Sequence, residues 1–410
     1  MSAVLKEPLR QRADYTHKFN AKTGRHGWLR LTPAYSLKLV EEVVTDYAPD
    51  QLILDPFCGT GTTALSATYH NHRAATTDIN PFLIWLASAK TRHYSSADIS
   101  EARQKGAAVA KAVYAESAKP ADAPPIHNIE RWWSPRAISF LRSVRGAISE
   151  LTKPNSPARD LLLVAFCRCL IERSNAAFNH QSMSFKEGSE RELPLTDMID
   201  GYADDLAFVL EGAGDNPSGV AQVIRCDSRD LGRTNLEGVS AVITSPPYAN
   251  RMSYIRELRP YMYWLGFLNS GREAGEMDWE AIGGTWGVAT SKLNSWERPD
   301  SHFSSQHLAD ACTKISEAES KNGPLLSKYV AKYFDDMWAH FNGLVKVLGR
   351  GADLHYIVGN STFYGSLVST EQLYAEMLDR LGFVDIECRA IRKRNSKKEL
   401  VEFDVVARWK

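Results

Sequence analysis

Residues 52–63 read L-I-L-D-P-F-C-G-T-G-T-T, and the fold follows from how that stretch divides. Leu52, Ile53 and Leu54 are an apolar run of the length of a short buried strand, and Asp55-Pro56 ends it. Gly59 and Gly61 bracket Thr60, and residues 62–70 have the composition of a helix. A strand, a glycine turn and a helix start, in that order, make a loop sized for a nucleotide-like ligand. Glycine lets backbone N–H groups approach such a ligand, because no Cβ stands in the way. Asp55 is expected where the strand ends, at the mouth of the crevice. The same pattern without a ligand is a tight strand-to-helix turn.

Outward from this loop the alternation continues. Residues 73–78 (RAATTD) form a second strand ending in an acid, and residues 80–90 a helix with apolar spacing. An acid ending the second strand, about 20 residues past the glycines, is where a ribose hydroxyl is gripped. Asp78 is therefore a cofactor candidate, the alternative being a cap for the helix that follows at Asn80-Pro81. Upstream, Thr32-Pro33 has the form of an N-cap with a first-turn proline and predicts a helix over 33–46.

The alternation stops near Tyr94. Residues 95–218 read as a mainly helical insertion, with helices over 100–118, 135–150 and 158–173. Its polar-aromatic parts, Arg131-Trp132-Trp133 and residues 173–186, suit either a DNA cleft or core and loop roles. A strand at 221–226 runs into Asp227-Ser228. The apolar run 241–243 then delivers Thr244-Ser245-Pro246-Pro247-Tyr248. Residues 251–265 are helical and aromatic, and 269–324 are Gly-, Ser- and Trp-rich and read as irregular. A long helix over 325–348, a strand at 352–358, a helix at 370–381 and strands at 384–391 and 400–409 complete the chain. The expected organisation is 1–94 as arm and first half of an α/β domain, 95–218 as helical insertion, 219–268 with 325–410 as the second half, and 269–324 as a second, DNA-contacting insertion.

Composition bounds the class. Of 410 residues, 44% are hydrophobic and 24% charged, the balance of a globular chain. No run has the length of a membrane span and no apolar signal core opens the chain, so a soluble cytoplasmic protein is expected. The six cysteines, Cys58, Cys167, Cys169, Cys226, Cys312 and Cys388, include no C-x-x-C pair. That speaks against zinc and thioredoxin-like chemistry and fits a reducing compartment. Net charge is zero, yet basic residues cluster. Residues 1–30 hold seven (Lys6, Arg10, Arg12, Lys18, Lys22, Arg25, Arg30) against Glu7 and Asp14. Residues 389–398, R-A-I-R-K-R-N-S-K-K, hold six and no acid. Such patches either track phosphates or are solvated surface.

D-P-F-C-G-T-G-T-T resembles motif I of S-adenosyl-L-methionine-dependent methyltransferases, and S-P-P-Y resembles motif IV of those that modify exocyclic amino groups of DNA bases. The resemblance covers residues 32–94 and 221–410. It implies a Rossmann-like methyltransferase fold: a mostly parallel seven-stranded sheet with a C-terminal antiparallel hairpin. It implies that Asp55, Pro56, Phe57, Cys58, Gly59, Thr60, Gly61, Thr62 and Asp78 bind S-adenosyl-L-methionine. Thr32 stands where motif X helps close over the cofactor, and Asp227 where a motif III acid contacts adenine, with a turn cap as its other reading. Ser245, Pro246, Pro247 and Tyr248 would be catalytic, and Arg392, Lys393 and Arg394 would contact DNA. The insertions do not sit where the family usually carries its recognition region. The partners implied are double-stranded DNA and, in a restriction–modification pair, a separate endonuclease.

The residue types suit this chemistry. A base's amino nitrogen is a poor nucleophile, because its lone pair is delocalised into the ring. Consecutive prolines remove two N–H donors and stiffen a loop whose carbonyls, near Ser245 and Pro246, can accept the amino hydrogens. This is positioning and preorganisation without a covalent intermediate. Tyr248 offers a stacking face for a base flipped out of the duplex. Serine before Pro-Pro-Tyr leans toward N4 of cytosine, whereas aspartate or asparagine leans toward N6 of adenine. The rivals are a tRNA guanine-N2 enzyme, which shares D-P-F-C-G-T-G-T, and a non-catalytic DNA-binding subunit. No Pro-Cys dipeptide occurs, which speaks against a cytosine-C5 mechanism.

Overall fold

Short apolar runs without polar alternation belong in a sheet covered on both faces, and the chain builds one. A computed structural model describes residues 9–15, 20, 23–29, 31, 35–177, 184–185, 192–250, 253–284, 288–394 and 400–410. Its main sheet has seven strands: β1 (Leu52–Asp55), β2 (Arg73–Asp78), β3 (Val220–Arg225), β4 (Val239–Thr244), β5 (Leu348–Gly359), β6 (Val384–Lys393) and β7 (Val401–Arg408). Their order is β6-β7-β5-β4-β1-β2-β3. Strands β3, β2, β1, β4 and β5 are mutually parallel, and β7 runs antiparallel to both β5 and β6. The fold is thus α/β with a mostly parallel sheet and a C-terminal antiparallel pair.

The pleat decides which residues each face receives. Ile53, Ala241 and Ile243 point to the face covered by α1 (Leu37–Val44) and α2 (Thr62–Tyr69), where they meet Val40, Val44 and Ala64. Leu54, Val242 and Leu354 point to the other face. There Phe334, Met337 and Phe341 of α12 (Gly323–Leu344) and Tyr374 and Met377 of α13 (Thr370–Leu381) cover them.

Between β2 and β3 stand α3 (Pro81–Thr91), α4 (Ser96–Tyr114), α5 (Pro135–Leu151), α6 (Pro157–Glu172) and α7 (Leu195–Gly214). They share one core with α8 (Tyr254–Leu265). Each start carries a local signal: Asn80 caps α3, Ser95 and Asp98 form a capping box on α4, and Ser134 and Ser156 cap α5 and α6. No helix of the described residues is long and apolar enough to cross a membrane.

Three expectations change, and one open alternative is decided. The helix expected over 33–46 is shorter: α1 starts at Leu37, capped by Ser36, and residues 32–34 lie outside the described residues. The stretch 269–324 is helical where it is described, as α9 (Gly271–Glu280), α10 (Val288–Ser295) and α11 (Gln306–Ser316). Ser270 and Ser305 cap two of these helices, and Leu293, Leu308 and Ile315 anchor the stretch in the core. Trp132 and Trp133 are core rather than cleft residues, and the Trp133 indole donates to the Leu170 carbonyl at 2.9 Å. Arg25 is not solvated. It is fully buried, and its guanidinium donates to the carbonyls of Lys90, Arg92, Gly212 and Ala213 and to the Asn216 side chain.

Candidate functional site

Strand order reverses between β1 and β4, and in open α/β sheets the crevice beyond such strand ends is where ligands bind. A cavity of about 370 Å³ lies there. It receives Pro56, Phe57, Gly59 and Thr60 from the loop after β1, Asp78 and Asn80 from the end of β2, and Asp227 from the end of β3. Ser245, Pro246, Pro247 and Tyr248 come from the loop after β4, and Arg392, Arg394 and Glu402 from the C-terminal pair.

The glycine loop is held by its own neighbourhood. Gly59 and Gly61 sit at φ +50° and +75°, left-handed values that favour glycine. A Cβ on Gly61 would also stand 3.1 Å from that of Ala87. The Cys58 N–H donates to Thr77 O at 2.9 Å and the Gly61 N–H to Cys58 O at 2.8 Å. From beneath, the fully buried Lys90 ammonium donates to Thr60 O at 3.0 Å, and burial pulls its pKa down to about 8. Lys90 was missed from sequence, where it was one more residue of an apolar helix.

Asp78 accepts the Asn80 N–H at 2.9 Å and the Gly59 N–H at 3.4 Å while facing the cavity. The cap of α3 is Asn80 rather than Asp78, whose carboxylate braces the turn just before it and lines the cavity. Burial pushes its carboxyl up to about 7. Asp227 caps a 3₁₀ turn by accepting the Arg229 N–H, and the Arg229 guanidinium grips it at 2.6 Å. Burial works against ionisation of Asp227, but Arg229 outweighs it and holds the carboxyl below its usual range. Arg229 also reaches Asp336 and the Glu280 carbonyl, which ties this wall to α12 and α9.

Asp55, Cys58, Gly61 and Thr62 do not line the cavity. Asp55 is fully buried behind the loop rather than at its mouth, because the strand's last side chain turns inward. It accepts Thr244 Oγ1 at 2.6 Å and the Phe57 N–H at 3.1 Å, tying β1 to β4, and burial pushes it up to about 6. Thr62 packs inward with its hydroxyl 2.9 Å from that of Thr60. Thr32 lies outside the described residues.

The Ser245–Tyr248 loop is held by distant parts of the chain. The Ser245 hydroxyl donates to Ile357 O at 3.0 Å and the Tyr333 hydroxyl to Pro247 O at 2.8 Å. The Tyr248 N–H donates to the Tyr254 hydroxyl, and Asn250 N–H donates to Tyr248 O at 2.8 Å. The carbonyls of Pro247 and Tyr248 are therefore engaged. Those of Ser245 and Pro246 accept no hydrogen bond from the described residues.

Tyr248 belongs to a polar cluster that the motif did not announce. Its hydroxyl donates to Glu402 Oε1 at 2.9 Å, and burial together with that carboxylate pushes the phenol well above its usual value. Arg392 pairs with Glu402 through Nε at 2.7 Å and Nη2 at 3.2 Å. The Arg394 guanidinium lies 4.8 Å over the Tyr248 ring. Of the three basic residues assigned to DNA, two therefore face the cavity and only Lys393 does not line it. The cavity's thiol, Cys226, is pushed up by burial and the nearby acids, and Cys58 behind it likewise, so neither is a ready thiolate. No group of three or more potential metal ligands occurs among the described residues. Comparison with protein-family models and with curated proteins finds no match for this chain.

Proposed function

We propose that this protein is an S-adenosyl-L-methionine-dependent methyltransferase of Rossmann-like fold. Its substrate on this reading is an exocyclic amino group of a base in double-stranded DNA, N4 of cytosine in the first instance. One observation carries the reading: the glycine loop after β1 and the Ser-Pro-Pro-Tyr loop after β4 line the same cavity. Two motifs far apart in sequence, at residues 55–63 and 245–248, but carried by adjacent strands of the sheet are what a two-substrate transfer site requires.

The residues present fit the cofactor. The volume is within the roughly 300–1,000 Å³ of small-molecule sites. Gly59 leaves its backbone bare toward the cavity, and Asp78 offers a carboxylate oxygen held only by a 3.4 Å bond, suited to ribose hydroxyls. Asp227, kept anionic by Arg229, suits the adenine amino group. When bound, S-adenosyl-L-methionine supplies an electrophilic methyl group on a sulfonium.

The chain's own part is to orient the nucleophile. The open carbonyls of Ser245 and Pro246 accept the two amino hydrogens, which directs the nitrogen lone pair out of the ring plane. Tyr333 and Ile357 hold the loop so that neither carbonyl turns away. A base reaches the cavity only by leaving the duplex, at a cost of a few kcal/mol. A cognate endonuclease acting separately fits the same reading.

Incubating the chain with methyl-labelled cofactor and either duplex DNA or tRNA, then digesting to nucleosides, tests this. Label in N4-methylcytosine from DNA is expected. Label in N6-methyladenine alone overturns the choice of base, preference for tRNA overturns the choice of nucleic acid, and no transfer at all sinks the proposal.

A further inference from the structure

We infer that Arg394 is a specificity-determining residue: it reads the acceptors along the Watson–Crick edge next to the target amino group and so selects cytosine against guanine. This rests on the reading of the cavity as a base pocket. The sequence offers Arg394 as a phosphate contact on an exposed basic loop, but the fold turns it inward, over the Tyr248 ring and along the cavity wall.

That placement is built rather than incidental. Arg394 Nη1 donates to the Asn360 carbonyl at 2.8 Å, which anchors the guanidinium to the end of β5. The preceding residue, Gly359, makes the room: a Cβ there would stand 2.5 Å from Nη1 and 2.9 Å from Cδ of Arg394. The neighbouring charges reinforce the polarity. Both oxygens of Glu402 are engaged, Oε2 by Arg392 Nε and Oε1 by Tyr248 Oη and Arg392 Nη2. Two guanidiniums thus stand on a wall with one carboxylate, whose accepting capacity is taken by Arg392 and Tyr248 and leaves Arg394 uncompensated by it. What this wall presents to the cavity is hydrogen-bond donors and positive charge.

Base chemistry then discriminates. Along the Watson–Crick edge from N4, cytosine carries two successive acceptors, N3 and then O2, which match a planar guanidinium fork. Along the same edge adenine carries one acceptor, N1, followed by C2–H, its N7 lying on the opposite edge. Along the same edge guanine places the N1–H donor where cytosine has N3, against a cation that cannot accept it; its N3 lies on the other side of the amino group. The wall therefore favours cytosine, tolerates adenine less well and rejects guanine.

The test uses the full chain, after the modified site has been mapped in DNA from cells expressing the wild type. Duplexes differing only in the target base are methylated by the wild type and by Arg394→Met, Arg394→Lys and Gly359→Ala. Cofactor Kd is measured alongside by calorimetry. Arg394→Met is expected to lower kcat/KM on cytosine by about tenfold to a hundredfold, with cofactor Kd unchanged and the preference over guanine reduced to match. Arg394→Lys should recover only part, because a point charge lacks the fork. Gly359→Ala should act in the same direction with the arginine still present. An Arg394→Met enzyme with wild-type rate and base preference overturns the inference while leaving the methyltransferase reading intact. So does one that loses cofactor affinity and thermal stability together, which would make Arg394 a structural brace. A wild type that methylates no nucleic acid overturns both.

Discussion

The two loops that meet in the cavity are secured in opposite ways. The loop after β1 is fixed by short-range bonds, Cys58 to Thr77, Gly61 to Cys58 and Gly59 to Asp78, with Lys90 from the next helix beneath it. The loop after β4 is fixed by side chains and carbonyls from the far end of the chain: Tyr333, Ile357 and, through Tyr248, Glu402. The contrast teaches that the first loop is held mainly within residues 55–90, with Asp55 and Thr63 its ties to β4. The second is shaped by the whole sheet, so its chemistry can be retuned from a hundred residues away.

Substitutions sharpen or break this contrast. The largest effect belongs to the second loop itself. Tyr248→Ala removes the ring and the hydroxyl bond to Glu402, and kcat for methyl transfer should fall on the order of 10²–10³-fold. DNA binding, read by anisotropy, should persist; unchanged turnover removes the assigned role. Next comes Arg392→Ala, which leaves Glu402 largely buried without its cation. Chemical denaturation should register a loss of about 2–3 kcal/mol, below the fully buried range because Arg392 keeps some exposure. No loss would mean the pair contributes little.

The first loop is probed through Asp78. Asp78→Asn should weaken cofactor binding about tenfold to a hundredfold in Kd. Wild-type affinity should itself decline as pH falls through about 7, where the carboxyl takes up a proton, and the asparagine variant should lose that dependence. Stability follows the opposite course. Asp55 and Asp78 have raised values, so the folded chain binds more protons than the unfolded chain above the ordinary carboxylate range. Their burial therefore costs stability that grows as pH rises toward about 6 and about 7 and is complete above them.

Smaller effects follow from single long-range bonds. Tyr333→Phe deletes the hydroxyl that donates to the Pro247 carbonyl and also meets the Tyr374 hydroxyl, and kcat should drop about fivefold, the equivalent of ~1 kcal/mol, with cofactor Kd unchanged. An equal change in Kd would mean that the two loops are not separately held. The smallest effect is expected of Lys393→Ala, the one residue of the basic triplet outside the cavity. It should reduce the salt slope of DNA binding by about 1. An unaltered slope would make it idle surface.

The glycine loop, Asp78 and the strand–helix alternation were legible because each is written in contiguous residues: an apolar run, a φ only glycine adopts easily, a capping asparagine before proline. The helices of 271–316 were less legible. Serine caps and scattered anchors among Gly, Ser and Trp resemble a loop until tertiary contacts bury Leu293, Leu308 and Ile315.

Sequence alone determined the ends of β1 and β2, the two loop motifs and the order of strands and helices along the chain, since these depend on local backbone preference and apolar periodicity. Tertiary structure alone decided that Asp55 braces β1 to β4, that Lys90 supports the glycine loop, and that Arg392 and Arg394 face inward. Those outcomes depend on which distant carboxylate, carbonyl or ring lies within about 3 to 5 Å, and no spacing along the chain encodes such a distance.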